Sequence, residues 1–228
     1  MTNTPIVRVT DAGKKYGPRT VFTNISFDVA AGQVAVLTGT SGAGKSSLLN
    51  CVGLLDTLSH GSIALNGESV ADIDGRRRTQ LYRSTIGFLF QNYALIDDET
   101  VQGNLAVAWI GQKSSRAERA EKDSRALEAV GLSSTRLQSP IIELSGGEQQ
   151  RVALARLIIR QPRLIIADEP TGALDRRSAT TVLEILRGFA NRRSAVLIAS
   201  HDRQVIDTAD VLVELGVPSR QDARARRA

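Results

Sequence analysis

The chain has 228 residues, with 29 Lys and Arg against 24 Asp and Glu for a formal charge of +5, and 42% of it is hydrophobic. That combination allows one domain with a sizeable core and excludes intrinsic disorder. With Cys51 the only cysteine, no basic-then-apolar leader at the amino terminus, and apolar runs far shorter than the roughly 18 residues of a membrane span, a reducing, cytoplasmic location is expected, and any link to a membrane is expected to run through a partner.

The positive charge is unevenly placed. Residues 219–228 carry Arg220, Arg224, Arg226 and Arg227 against Asp222 alone, a net +3 of the +5, which reads as a basic tail on a nearly neutral body. A nucleic-acid binder needs a basic stripe over its folded surface, and aromatics if it stacks single strands. At 4% aromatic residues, no direct nucleic-acid partner is expected.

In chain order, Ile6–Val9 and Ile25–Val29 alternate apolar and polar residues at period two, which predicts strands, with Gly13, Gly17-Pro18 and Gly32 as punctuation. Val34–Thr38 is a continuous apolar run of the kind buried on both faces of a sheet. A glycine-rich loop follows, then helical spacing over Ser46–Leu55 and a strand over Gly61–Gly67 that ends in a turn. Arg76-Arg77-Arg78 reads as a solvated turn before a helix, and Ile86–Phe90 as a short strand stopping at Gln91. Over Lys113–Glu128 the pairs Glu118/Lys122 and Glu121/Arg125 stand four apart, as on a solvated helix face. Leu164–Ala167 and Ala195–Ala199 are buried-type strands separated by a helix near Arg177–Phe189. Cys51 is expected to be a small apolar residue on a helix, His60 a loop residue and Trp109 a core or groove filler. Alternating strands and helices at this spacing imply a mainly parallel α/β sheet.

Three motifs carry chemistry. Gly39, Thr40, Ser41, Gly42, Ala43, Gly44, Lys45 and Ser46 match G-x-x-x-x-G-K-[ST] in every fixed position, between a buried strand and a helix. Glycines let successive N–H groups turn inward to cradle phosphates, Lys45 supplies a full charge, and the Ser46 hydroxyl can ligate Mg²⁺. The strand Leu164–Ala167 ends in Asp168 and Glu169, placed by the parallel sheet in the same crevice: Asp168 to hold Mg²⁺ through water and Glu169 to act as general base. The third motif is Leu144-Ser145-Gly146-Gly147-Glu148, which opens a helix. Ser145 and Glu148 fit a capping box, but two glycines in a first turn cost helix propensity and make sense if a phosphate approaches the backbone there.

With this third motif the sequence resembles the ATP-binding cassette ATPases, the nucleotide-binding subunits of ABC transporters, over roughly residues 6–215. The resemblance implies a P-loop parallel-sheet core with an N-terminal antiparallel β subdomain, about 1–91 and 158–228, and an inserted helical subdomain, about 92–157. It implies that Tyr16 stacks on adenine, with Ser47 beside it in the nucleotide site, and that Gln91 reaches Mg²⁺ and the attacking water. His201 would contact the γ-phosphate, and the Ala173-Leu174-Asp175 loop would cross to a second copy. Ser145, Gly146 and Gly147 of one copy would face the ATP held by the other, so the cofactors are ATP and Mg²⁺ and the partners are a second cassette and a separately encoded membrane permease docked near Gln91 and Tyr93. Such a cassette sits at the inner face of the cell membrane. The runs Gly42–Asn50, Gly53–Asp56 and Phe90–Ile96 are similar to the lipoprotein-releasing, macrolide-exporting and bacteriocin-exporting group. Two other roles stay open: force transmission to a membrane or cell-wall regulator, and a soluble ATPase of the iron–sulfur assembly type.

Overall fold

The computed structural model describes residues 4–172 and 174–216; the basic tail at 219–228 and Ala173 lie outside the described residues. The amino-terminal alternation becomes a hairpin, β1 (Val7–Tyr16) against β2 (Arg19–Val29), and β1 also pairs with β4 (His60–Leu65), which carries the short β5 (Glu68–Ser69). The order β2-β1-β4-β5 is antiparallel throughout. Both hairpin strands run well beyond the stretches that alternate in sequence. Register shifts between Val9 and Lys15, with Asp11 at φ 47°, carry β1 through Asp11, Gly13 and the two lysines by bulging.

The second sheet is parallel, with β6 (Ile86–Leu89), β7 (Leu164–Asp168), β8 (Ala195–Ala199), β3 (Val34–Thr38) and β9 (Val211–Glu214) in that spatial order. Its apolar runs have no polar alternation because both faces are covered. Val34, Val36, Ile165, Ala167, Val196 and Ile198 join one apolar cluster, while Ala35, Leu37, Leu164, Ile166, Leu197 and Ala199 join the other. The second cluster also takes Phe22 of the hairpin and Leu48 and Leu49 of α1 (Lys45–Val52). The first takes Leu105 of α3 (Val101–Ala106), Leu127 of α4 (Arg116–Ala129), Leu154 of α5 (Gly146–Arg160) and Leu186 of α6 (Arg176–Asn191). Apart from α2 (Gly75–Ser84), α6 and the single turn α7 (Arg203–Ile206), the helices after α1 all fall between β6 and β7. Among the described residues no helix is long and apolar enough to cross a membrane.

Several local expectations change. Arg76–Arg78 lie inside α2, not in a turn before it: the Asp74 side chain caps that helix by accepting the Arg77 N–H, so the arginines form its first turn. His60 begins β4 rather than sitting in a loop, with its ring against the Gly13 backbone. On α4, Arg125 pairs with Glu121, while Glu118 is drawn into a capping box with Ser115. Cys51 is buried on α1, as expected, and burial pushes its thiol up to about 11.

Trp109 is buried in the helical region, and its indole N–H donates to Asp123 Oδ1 at 2.9 Å, a buried acid with Arg119 and Lys122 over the indole ring. Burial raises Asp123 above the ordinary aspartate value, against the pull of the indole bond and Arg119. An acid with a raised folded pKa lowers stability as pH climbs from its unfolded pKa through its folded one, and costs nothing below both. Asp123→Asn keeps an oxygen acceptor for the indole and removes the charge. The variant should be more stable than the parent near pH 7, with the gain shrinking as pH falls through the aspartate range; urea melts at a series of pH values check this.

Candidate nucleotide site

The carboxyl ends of β3, β7 and β8 meet at one edge, and the site is built from the three turns that leave them. Ladder register fixes their level: Leu37 pairs with Ala199, and Asp168 pairs with the same residue from the other side. Beyond β3 the chain passes through Gly39, Gly42 and Gly44 at φ 147°, 80° and 96°. Gly44 is the N-cap of α1, and a Cβ there would meet Val21 Cγ1 at 2.6 Å, so both the left-handed backbone and the approach to β2 require glycine. No side chain caps α1, so its first-turn N–H groups have no side-chain partner there, beside the cleft that Lys45, Ser46 and Ser47 line, which is the arrangement that suits an anion. Lys45 Nζ reaches back across the loop to the Gly39 carbonyl at 3.0 Å.

On β7, Asp168 closes the strand and Glu169 turns away from it at φ 44°, its N–H donating to the Ala199 carbonyl at 2.9 Å. The Ser200 hydroxyl donates to Glu169 Oε2 at 3.0 Å, and His201 Nδ1 lies 2.9 Å from Oε1, so both carboxylate oxygens are held. Burial raises Asp168 above the usual aspartate value; the Ser46 hydroxyl pulls it back, the neighbouring Glu169 adds to the rise, and Lys45 opposes it. Two carboxyls side by side at a partly desolvated strand end, with the Ser46 hydroxyl beside Asp168, offer the hard oxygen donors that a divalent cation takes.

The cleft over this edge holds about 770 Å³. Of the residues expected at the site, Tyr16, Gly39, Thr40, Ser41, Gly42, Gly44, Lys45, Ser46, Ser47, Glu169 and His201 line it. Ala43 is buried beneath the loop and Asp168 sits one residue behind Glu169. Gln91 is exposed, two residues past β6, outside the lining. Ser145, Gly146 and Gly147 start α5, also outside the cleft, where Ser145 and Glu148 form a capping box. Asp175 caps α6 by accepting the Arg177 and Ser178 N–H groups, whose bonds, with that of the Ser178 hydroxyl, hold its carboxyl below the usual value.

Long-range contacts bring in residues that no motif marks. Arg19 and Val21 of β2 line the cleft. Half-exposed Tyr16 donates its hydroxyl to Asp56 Oδ2 at 2.6 Å, and buried Lys14 binds Asp56 Oδ1 at 2.6 Å while its Nζ lies 4.7 Å from the Tyr16 ring centroid. One face of the ring is thus covered and the ring is fixed in angle. Tyr16 and Asp56 are about forty residues apart, and only the β1 to α1 packing reveals the pairing.

The family model described as ABC transporter matches residues 22–172. The macrolide export ATP-binding/permease protein MacB of Brucella melitensis is 38% identical over 219 residues, 94% of this chain and 34% of that protein. The pyoverdine export ATP-binding/permease protein PvdT of Pseudomonas putida is 38% identical over 217 residues, 93% of this chain and 33% of that protein. The chain thus spans about a third of the length of these curated relatives. Among solved structures, the dimeric post-hydrolysis state of the ATP-binding cassette MJ0796 bound to ADP and Pi superposes with a TM-score of 0.84 at 28% identity, over 93% of this chain and 97% of that one. The chain belongs to the ABC transporter family as an ATPase domain.

Proposed function

We propose that the chain binds Mg·ATP in the cleft above β3, β7 and β8, hydrolyses it as one half of a two-copy sandwich, and drives a membrane permease of the exporting kind from the inner face of the cell membrane. The observation that carries this reading is the convergence of Lys45, Ser46, Glu169 and His201 on one cleft, with Asp168 directly behind. The loop amides and Lys45 hold the phosphates, and the exposed face of Tyr16 stacks on the adenine. Ser46 and Asp168 would hold Mg²⁺, with Gln91 reaching towards it from the end of β6, and the bound ion would supply charge neutralisation for the phosphate oxygens. Glu169 takes a proton from the water that attacks the γ-phosphate, and Ser200 and His201 keep its carboxylate aimed.

The second copy is supported by what the chain does not need for itself. A Cβ on Gly146 or Gly147 would find its nearest neighbour 3.7 Å away, so packing within the chain requires neither glycine, and each costs a helix about 1 kcal/mol against alanine. A phosphate of a facing copy, with Asp175 and the loop before it alongside, supplies the reason. We assign the core to about 1–91 and 158–228 and the helical subdomain to about 92–157. Further along the chain from Gln91 and Tyr93, the exposed Ile96, Val107 and Ile110 offer the permease apolar side chains to land on. MacB and PvdT are named as export ATP-binding/permease proteins, which favours export over the force-transmitting and iron–sulfur roles.

Lys45→Ala removes the only side-chain cation of the loop and should abolish Mg·ATP binding by titration calorimetry; parental affinity would overturn the phosphate assignment. Glu169→Gln keeps the shape and removes the base, so turnover should fall about 10²–10⁴-fold while nucleotide still binds. The variant should then elute from size-exclusion chromatography as an ATP-bound dimer. A nucleotide-loaded monomer would contradict the shared site, and parental turnover would contradict the base.

A further inference from the structure

Helix α5 begins with the Ser145–Gly147 run and carries Arg156 and Arg160 four residues apart, hence on one face. Neither guanidinium pairs with a carboxylate among the described residues. Both are spent on backbone carbonyls. Arg160 donates to the Tyr82 carbonyl, on the helix before β6, at 2.7 Å. Arg156 donates from Nη1 to the Ala94 carbonyl at 2.8 Å and from Nη2 to the Tyr93 carbonyl at 3.2 Å, in the loop after β6. One helix therefore grips the chain on both sides of the strand that delivers Gln91.

The loop it grips is not one the chain adopts freely. Tyr93 and Ala94 have φ 61° and 45°, consecutive left-handed residues that are not glycine, each disfavoured by roughly 1–2 kcal/mol. Within the loop, the Tyr93 N–H donates to the Phe90 carbonyl and the Ala94 N–H to the Asn92 carbonyl, which leaves the two outward carbonyls for Arg156. The planar guanidinium can answer two successive carbonyls at once, which an ammonium on one point cannot match. Burial holds Arg156 below the usual arginine value, a cost no carboxylate offsets. A second contact ties the same elements: a Cβ on Gly146 would lie 3.7 Å from the Tyr93 hydroxyl, so that ring reaches the first turn of α5.

We propose that Arg156 is a positioning residue that locks the 91–94 loop to α5, so that the approach of Gln91 to the ATP site and the presentation of Gly146 and Gly147 to the facing copy are set by one rigid joint. This rests on the roles given above to Gln91 and to the start of α5. A movement of α5 is passed to the loop of Gln91 through two hydrogen bonds and the Tyr93 hydroxyl beside Gly146, without passing through the sheet.

The test is steady-state hydrolysis by the full chain. Arg156→Lys should lower kcat roughly 10- to 100-fold, the scale of a misplaced positioning group, with KM for ATP within about twofold, and should speed amide exchange over residues 92–96 while leaving residues 39–52 unchanged. Arg156→Gln, neutral and shorter, should do the same if the lysine variant folds poorly. In a Gln91→Ala background, Arg156→Lys should cost several-fold less turnover than it does in the parent, because the part of its effect that passes through Gln91 is already lost. Parental kcat in Arg156→Lys and Arg156→Gln, or a loss that persists in full beside Gln91→Ala, overturns the inference alone. Parental kcat in Gln91→Ala itself overturns the role of Gln91, and the inference with it.

Discussion

The side chains of β3, β7 and β8 divide between two apolar layers, residue by residue, and a one-residue slip of any of these strands would exchange its whole set between layers of different shape. That constraint fixes where each strand stops. Leu37, Asp168 and Ala199 come level, and within two residues of that level the three chains leave the sheet, at Gly39, Glu169 and Ser200. Three backbone bonds seal the edge at that level, from the Glu169 N–H to the Ala199 carbonyl, the Ser200 N–H to the Leu37 carbonyl and the Leu215 N–H to the Thr38 carbonyl. The phosphate loop, the acid pair and the histidine are thus neighbours because hydrophobic burial sets the register, and no polar contact among them has to supply that precision.

Polar contacts act on orientation. Glu169 sits at φ 44°, a strained position for a side-chain residue, and such strain persists only where surroundings over-determine it. Ser200 is fully buried, so its hydroxyl must find partners: it donates to Glu169 and accepts the Asp202 N–H at 3.1 Å. Asp202 in turn takes the Thr171 hydroxyl at 3.2 Å, so the turns after β7 and β8 share one network around the carboxylate. The same logic holds at the other end of the cleft, where Asp56 binds both Lys14 and Tyr16. Burial opposes ionisation of Asp56, yet these bonds hold its carboxyl below the usual aspartate value, and the pair stays charged beneath the ring.

What could be read from the sequence was what is local in it. The phosphate loop needs eight consecutive residues, and the acid pair needs an apolar run with two carboxylates at its end; both fold as read because their chemistry and strand context lie within one segment. The reach of β1 and β2 was hidden because bulges break the alternation on which strand reading depends. The start of α2 was hidden because Gly75 follows its cap and three arginines look solvated in a turn or a helix alike. Nothing local in the sequence marks the roles of Ser200, Lys14, Asp56 and Arg156, which exist only in contacts with residues more than thirty positions away. Gln91 and the Ser145–Gly147 run show the reverse case, marked in the sequence and standing apart from the cleft of the single chain.

The start of α5 shows why a bland account of that run is incomplete without being wrong. Ser145 accepts the Glu148 N–H, and the Glu148 carboxylate accepts the Ser145 N–H and hydroxyl, bonds that hold Glu148 below the ordinary glutamate value and tie down the helix end. The box satisfies donors on both sides of the glycines and leaves theirs alone: among the described residues no acceptor is found for the N–H of Gly146 or Gly147. Helix ends ordinarily give such donors to water, and a serine cap followed by any two residues would suffice for that. Two glycines add something else, a bare backbone that a bulky anion can approach to bonding distance along the positive end of a fifteen-residue helix. The capping box keeps that end rigid while the glycines keep it open, and in the proposed two-copy assembly it is the facing γ-phosphate that takes the two free donors.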